Sequence, residues 1–211
     1  MITQKQLDEL WDFADPAGSE RRFAAEEESA SYADSERAEL VTQRARACGL
    51  QECFEEGHAL LESLGDSRDA AVATRMVLEN GRLLNSAGRR AEAVPEFENA
   101  ATIAASAGLL FLQIDALHML AIADEARSSE WAAQAIDLAQ AAPDERTRRW
   151  LVSLHNNLGW WHFDAGRLNE AHAVFVQAQE WANRVGTEQQ RVWAREAIEE
   201  CAAAMAARDA G

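Results

Sequence analysis

Cys48, Cys53 and His58 are the residues whose types and spacing come nearest to a metal-ligand set. Thiolate and imidazole are zinc ligands, but structural zinc sites add a fourth nearby ligand and a closer cysteine pair. The segment also crosses a predicted helix–turn–helix junction, where cysteine commonly serves as a small apolar residue. The pattern therefore favours a structural role for these residues, and it predicts neither a metal site nor a cofactor.

The other candidates for acid–base chemistry are scattered histidines and short runs of acids. The later histidines are His118, His155, His162 and His172. No two of them are four residues apart, as a pair of metal ligands on one helix face would be. The acidic runs Glu26–Glu28 and Glu55–Glu56 are typical of solvated helix faces. The sequence has no glycine-rich phosphate loop, nucleophile elbow or His-Glu-x-x-His motif. We therefore expect a protein that is not an enzyme.

Composition restricts the class of partner. The chain has 211 residues, of which 48% are hydrophobic, so a folded core is expected. Its net charge is −16, and residues 1–66 hold 16 acids against 6 bases. An acidic field repels phosphate backbones and anionic lipid surfaces, which disfavours nucleic-acid and membrane partners. The sequence shows no signal-like start, no long apolar run and no even set of cysteines. These features predict a cytoplasmic protein with reduced thiols.

The elements that position these residues are indicated by a repeated pattern. In each copy a Gly is followed at fixed intervals by a second Gly, an Ala, a Phe and another Ala. The two clearest copies, 78 residues apart, are Gly81, Gly88, Ala93, Phe97 and Ala100, and Gly159, Gly166, Ala171, Phe175 and Ala178. A pattern that recurs at a fixed offset predicts one supersecondary unit used several times.

Each copy is typical of two amphipathic helices, in which small residues allow close approach and the Phe fills the space beside them. The small anchor of the second helix recurs at Gly57, Ala93, Ala132 and Ala171. This spacing predicts an N-terminal helical extension (1–34), four degenerate repeats and a C-terminal capping helix with a short tail (187–211). The repeats are 35–66, 67–108, 109–142 and 143–186. Helices are expected to start at Asp15-Pro16 and at Pro143-Asp144.

At these residues the sequence resembles the tetratricopeptide repeat family. Leu158-Gly159, Gly166-x4-Ala171, Phe175 and Ala178 match its helix-pair pattern, whereas His155 and His162 replace its first-helix aromatic anchors. The longer period is similar to the variety found in kinesin light chains and bacterial peptide-sensing regulators. The resemblance implies an all-α, right-handed superhelical solenoid whose first helices line a concave groove that binds peptide or protein.

The groove positions implied by the resemblance recur in steps of four and three along each first helix, as in Glu39, Gln43 and Arg46. The partner-binding residues it implies are Arg46, Arg75, Arg82, Asn85, His118, Met119, Asn156, Asn157 and Trp160. Arginines can hold carboxylate or phosphate, asparagines can pair with backbone amides, and the Met and Trp can bury an apolar side chain. Because Trp160 and Trp161 point about 100° apart on a helix, we expect Trp161 to pack and Trp160 to line the groove.

The most direct interpretation is a non-enzymatic scaffold that holds a protein or peptide partner in a concave groove. One alternative is a structural module that pairs two copies of the chain as a homodimer. Another is a regulator that senses a small ligand or short peptide and acts through a partner. The residues leave open whether the groove prefers acidic or basic peptides.

Overall fold

The computed structural model of the chain describes residues 2–29 and 31–210, and it is all-α, with no strand among those residues. The helices are α1 (Gln4–Leu10), α2 (Pro16–Glu27), α3 (Asp34–Leu50), α4 (Phe54–Ser63), α5 (Ala70–Ser86), α6 (Arg90–Ser106), α7 (Leu110–Ala123), α8 (Ser128–Ala141), α9 (Glu145–Arg148), α10 (Trp150–Asp164), α11 (Leu168–Val185) and α12 (Glu188–Ala210). A single 3-10 turn, Glu125–Arg127, lies between α7 and α8. No helix in the described part of the chain combines the length and apolar character that a bilayer crossing needs.

Local sequence chemistry sets the helix ends. The carboxylate of Asp15 accepts a hydrogen bond from the Gly18 N–H at 2.9 Å, and Pro16 opens α2. Asp144 caps α9 in the same way. Both starts confirm the sequence prediction, because a carboxylate satisfies an N–H that the first helical turn leaves unpaired. The loop glycine of the repeated pattern, Gly88, has a φ of 79°, a left-handed conformation that favours glycine.

The chain forms two compact lobes, which we describe separately. Lobe 1 ends at Glu125 and contains α1 to α7, and lobe 2 starts at Ala126 and contains α8 to α12. The boundary falls within the repeat expected at 109–142, so α7 and α8 belong to different lobes. This repeat carries Ala121 and Ile136 where the clearest copies carry the paired Gly and Phe.

The paired Gly and Phe bring two helices together in each lobe. A Cβ built on Gly81 of α5 would lie 2.6 Å from Cε1 of Phe97 on α6. A Cβ on Gly159 of α10 would overlap Cε1 of Phe175 on α11. Both Phe rings are fully buried. The interpretation that glycine admits the Phe is therefore confirmed in both copies.

Replacement of Gly159 with alanine tests this close approach. Overpacking costs about 1–3 kcal/mol, and the better helix propensity of alanine returns at most about 1 kcal/mol. We therefore expect a net loss of about 1–2 kcal/mol in the free energy of unfolding, measured by urea denaturation. A second change, Phe175→Leu, should recover part of the loss in the double variant. An alanine variant as stable as the wild type would show that the two helices can accommodate a methyl group beside Phe175, so that the glycine is not required there.

The N-terminal extension is part of the lobe 1 core. Leu7 of α1 and Phe23 of α2 are fully buried with Leu40 of α3, and Trp11 packs against the same cluster. Burial of a large apolar side chain contributes about 1.5–3 kcal/mol, so these helices are held firmly. This packing places the segment after α1 next to the polar side chains of α3 and α5.

Candidate functional site

One face of lobe 1 gathers most of the groove residues that the sequence predicts. We call this set the polar face, and it is contributed by α3, α5 and α7. Its members are Glu39, Gln43, Arg46, Arg75, Glu79, Arg82, Asn85, Asp115 and His118. Three arginines and three acids make its formal charge zero when the histidine is neutral. The strongly acidic character of the whole chain therefore does not extend to this face.

Arg75 links α5 to α3 on the polar face. Its Nε donates to Oε2 of Glu39 at 3.0 Å, and its Nη2 donates to Oε1 of Gln4 on α1 at 2.9 Å. Arg75 and Glu39 are only 6% and 3% exposed. Burial raises the pKa of Glu39, while Arg75 acts in the opposite direction. The guanidinium of Arg75 is thus occupied by groups of the chain itself.

Arg82 links α5 to α7 in the same manner. Its Nη1 donates to Oε1 of Glu79 at 2.5 Å, and its Nη2 donates to Oδ1 of Asp115. Burial alone would lower the pKa of Arg82, but Asp115 and Glu79 together raise it. The sequence predicts that Arg75 and Arg82 can hold a ligand's carboxylate or phosphate, whereas the carboxylates that they bind in the structure come from the chain itself. The spacing of the arginines does not show which side chains pair with them across neighbouring helices.

The segment that follows α1 covers one end of the polar face. Nε1 of Trp11 donates to Oε1 of Gln43 at 3.0 Å, and the Trp11 ring stacks on Phe13 with 4.7 Å between centroids. The segment is held in place because Nε of Arg22 donates to the Leu10 carbonyl at 2.8 Å. The sequence predicts helices here, but it does not predict that their connecting segment lies on the groove positions. The sequence feature that could have indicated this contact is the aromatic pair Trp11 and Phe13 in the short connection between two helices.

Arg46 is the arginine of the polar face that keeps its hydrogen-bond donors available. Its guanidinium lies 5.4 Å from the ring centroids of both Trp11 and Phe13, which is cation–π geometry. Within residues 2–29 and 31–210 it forms no hydrogen bond and no ion pair. Burial, followed by the nearby Arg82, lowers its pKa. Phe13 beside it is 59% exposed, so a charged group and an apolar surface lie together.

The α7 side of the polar face carries His118 and Met119, both half-buried. The pKa of His118 is lowered to about 4, mainly by burial; Asp115 opposes this shift, and Arg82 and Arg46 contribute to it. On α5, Oδ1 of Asn85 is buried and has no hydrogen-bond partner among the described residues. Six of the nine predicted site residues therefore lie in lobe 1 on α3, α5 and α7, and they are Arg46, Arg75, Arg82, Asn85, His118 and Met119.

The other three predicted residues lie on α10 in lobe 2. Asn156 and Asn157 are half-buried there. The expectation for the tryptophan pair was wrong. Trp160 packs on Phe175 with 5.0 Å between ring centroids, whereas Trp161 is 36% exposed and is covered by Arg167. Trp160 follows the glycine that admits Phe175, so its ring faces the same core.

We also looked for side chains that could hold a metal ion. Within the described ranges, no group of three or more His, Cys, Asp or Glu side chains is arranged to hold a metal ion. Cys48 is buried, and Cys53 is exposed at the turn that follows α3.

Comparisons with known proteins identify a fold but no family. No protein-family model matches the chain, and no characterised protein matches its sequence. Among solved structures, the chain is similar to BtubC (BKLC) from P. vanneervenii, with a TM-score of 0.64 and 17% sequence identity. The superposition covers 94% of this chain and 93% of that chain. At this identity the likeness extends to the helical fold alone.

Proposed function

We propose that the protein is a non-enzymatic scaffold of the tetratricopeptide type, which binds a peptide segment of a partner protein. In this proposal the helix pairs stack into a right-handed solenoid, and the polar face of lobe 1 is the binding surface. The repeated Gly–Phe packing and the fold shared with BtubC support the helix-pair architecture. The acidic composition supports a cytoplasmic protein partner over a nucleic acid or a membrane.

The observation that carries the proposal is the state of Arg46. The other two arginines of the polar face are neutralised by internal carboxylates, while Arg46 forms no hydrogen bond among the described residues and has two aromatic rings beside it. A guanidinium is suited to a carboxylate or to a backbone carbonyl of a peptide. The exposed ring of Phe13 supplies contact area for a neighbouring apolar side chain. Together they favour a peptide with an acceptor group next to an apolar residue.

Replacement of Arg46 with alanine should weaken partner binding without unfolding the chain. A hydrogen bond to a charged group contributes about 1.5–3 kcal/mol, so the affinity should fall at least about tenfold. The fold should survive because Arg46 forms no ion pair among the described residues, and the nearby Glu79 and Asp115 keep Arg82 as their direct partner. The measurement is affinity capture from an extract of the source organism, with quantitative comparison of the bound proteins.

Arg90→Ala is the matched control, because Arg90 lies on α6, is largely exposed and forms a surface ion pair with Glu125. The proposal predicts partners that the Arg46 variant loses and the Arg90 variant keeps. An identical set of partners for wild type and both variants would reject the polar face as the binding surface.

A further inference from the structure

Two cysteines, Cys48 and Cys53, stand at the two ends of the turn that ends α3. The Cys53 N–H donates to the Cys48 carbonyl at 3.0 Å, and the Glu52 N–H donates to the Gly49 carbonyl at 3.2 Å. Glu52 has a φ of 62°, which is left-handed. This pair of bonds with a left-handed residue is a Schellman motif, in which the side chains of the first and sixth residues commonly touch. Here those two residues are Cys48 and Cys53.

The two thiols differ in their access to solvent. Cys48 lies on the last turn of α3 and is 8% exposed, whereas Cys53 is exposed at the residue before α4. A disulfide requires the Cα atoms to lie roughly 4.4–6.8 Å apart, a separation compatible with residues joined by such a turn. We propose that Cys48 and Cys53 form a reversible intrachain disulfide by exchange with a low-molecular-weight disulfide of the glutathione class.

The exchange proceeds in two steps that balance in atoms and electrons. The exposed Cys53 thiolate attacks one sulfur of the small disulfide, a mixed disulfide forms, and one small thiol leaves. The Cys48 thiolate then attacks the Cys53 sulfur, the protein disulfide forms, and the second small thiol leaves. The two cysteine thiols give up two electrons and two protons, and the small disulfide is reduced to two thiols.

The surroundings of Cys48 determine which step is slow. Burial is the main cause that raises the pKa of Cys48 to about 11, and Glu20, Cys53 and Glu56 add to it, while Arg44 acts in the opposite direction. Few Cys48 thiolates exist near neutral pH, which slows closure of the mixed disulfide. Since the thiolate fraction rises tenfold per unit below the pKa, closure should accelerate about tenfold per pH unit.

The test treats the folded full-length protein with oxidised glutathione and follows products by intact and peptide mass spectrometry. The wild type should first carry glutathione on Cys53 and then lose it, as the peptide containing both cysteines loses two hydrogens. Cys48→Ala should keep the glutathione adduct. Cys201, buried in lobe 2, is the internal control and should stay a free thiol.

Two results would overturn the proposal. One is a wild-type adduct on Cys53 that persists at alkaline pH as long as the adduct of Cys48→Ala. The other is a wild-type protein that keeps three titratable thiols throughout. The second result is measured on the wild type alone, so it decides the question even if Cys48→Ala does not fold. Appearance of the closed disulfide at a rate that rises with pH would support the proposal.

Discussion

Arg82→Met is expected to lower the free energy of unfolding of lobe 1 by about 3–5 kcal/mol. The guanidinium of Arg82 binds both Glu79 and Asp115, whose side chains are 1% and 3% exposed. Its removal leaves two buried carboxylates close together without the cation that hydrogen-bonds to both of them. Urea denaturation followed by circular dichroism measures the loss. For the same reason, an Arg82 variant that fails to bind a partner reports on folding as much as on binding.

Arg90→Met is the matched control for Arg82→Met, since Arg90 is exposed and its loss should change stability by at most about 0.5 kcal/mol. The triple variant Arg82→Met, Glu79→Gln, Asp115→Asn should recover much of the loss, because it removes the stranded charges as well. If Arg82→Met were as stable as Arg90→Met, the pairing of Arg82 with both acids would be disproved.

Acidification should destabilise lobe 1 through His118. The folded-state pKa of His118 is lowered from 6.5 to about 4, mainly by burial. Between these two pKa values, His118 is protonated in the unfolded chain but neutral in the folded chain. Stability is therefore complete above about pH 6.5 and is lost as the pH falls toward about 4. One pKa unit corresponds to about 1.36 kcal/mol, so the loss from this group reaches at most about 3 kcal/mol.

His118→Gln isolates this contribution from the other titrating groups. Glu39, whose pKa is raised by burial, acts in the opposite direction, because its folded form binds a proton before its unfolded form does. The measurement is urea denaturation at several pH values from about 7 to about 4.5. The wild type should lose more stability than His118→Gln over this interval. Parallel curves for the two proteins would contradict the assignment.

The sequence was sufficient for features that depend on neighbouring positions. Asp15-Pro16 predicts the start of α2 because the capping interaction is local. The packing of Gly159 against Phe175 was also predictable, since a helix hairpin of regular length brings those two positions together. Helical periodicity likewise places Arg75 and Arg82 on one face of α5, and the resemblance to tetratricopeptide repeats adds Arg46 of α3 to the same groove.

Features that depend on which side chains meet across helices were not predictable. Arg82 and Asp115 are 33 residues apart, and their pairing requires a particular packing of α5 and α7. Trp11 reaches Gln43 from a segment with no periodic pattern. The prediction exchanged the roles of Trp160 and Trp161. A rotation of α10 by one residue about its axis exchanges the buried and exposed positions, and local spacing does not fix that rotation.

We propose that the polar face of lobe 1 binds a peptide through Arg46, and direct affinity measurements test this proposal. Peptides selected from a random displayed library on the wild-type protein provide defined ligands. Their affinity for wild type, Arg46→Ala and Arg90→Ala is then measured by fluorescence anisotropy. Binding to Arg46→Ala should be at least about tenfold weaker than to wild type, while Arg90→Ala should bind as the wild type does. Equal affinity of the selected peptides for all three proteins would contradict the account.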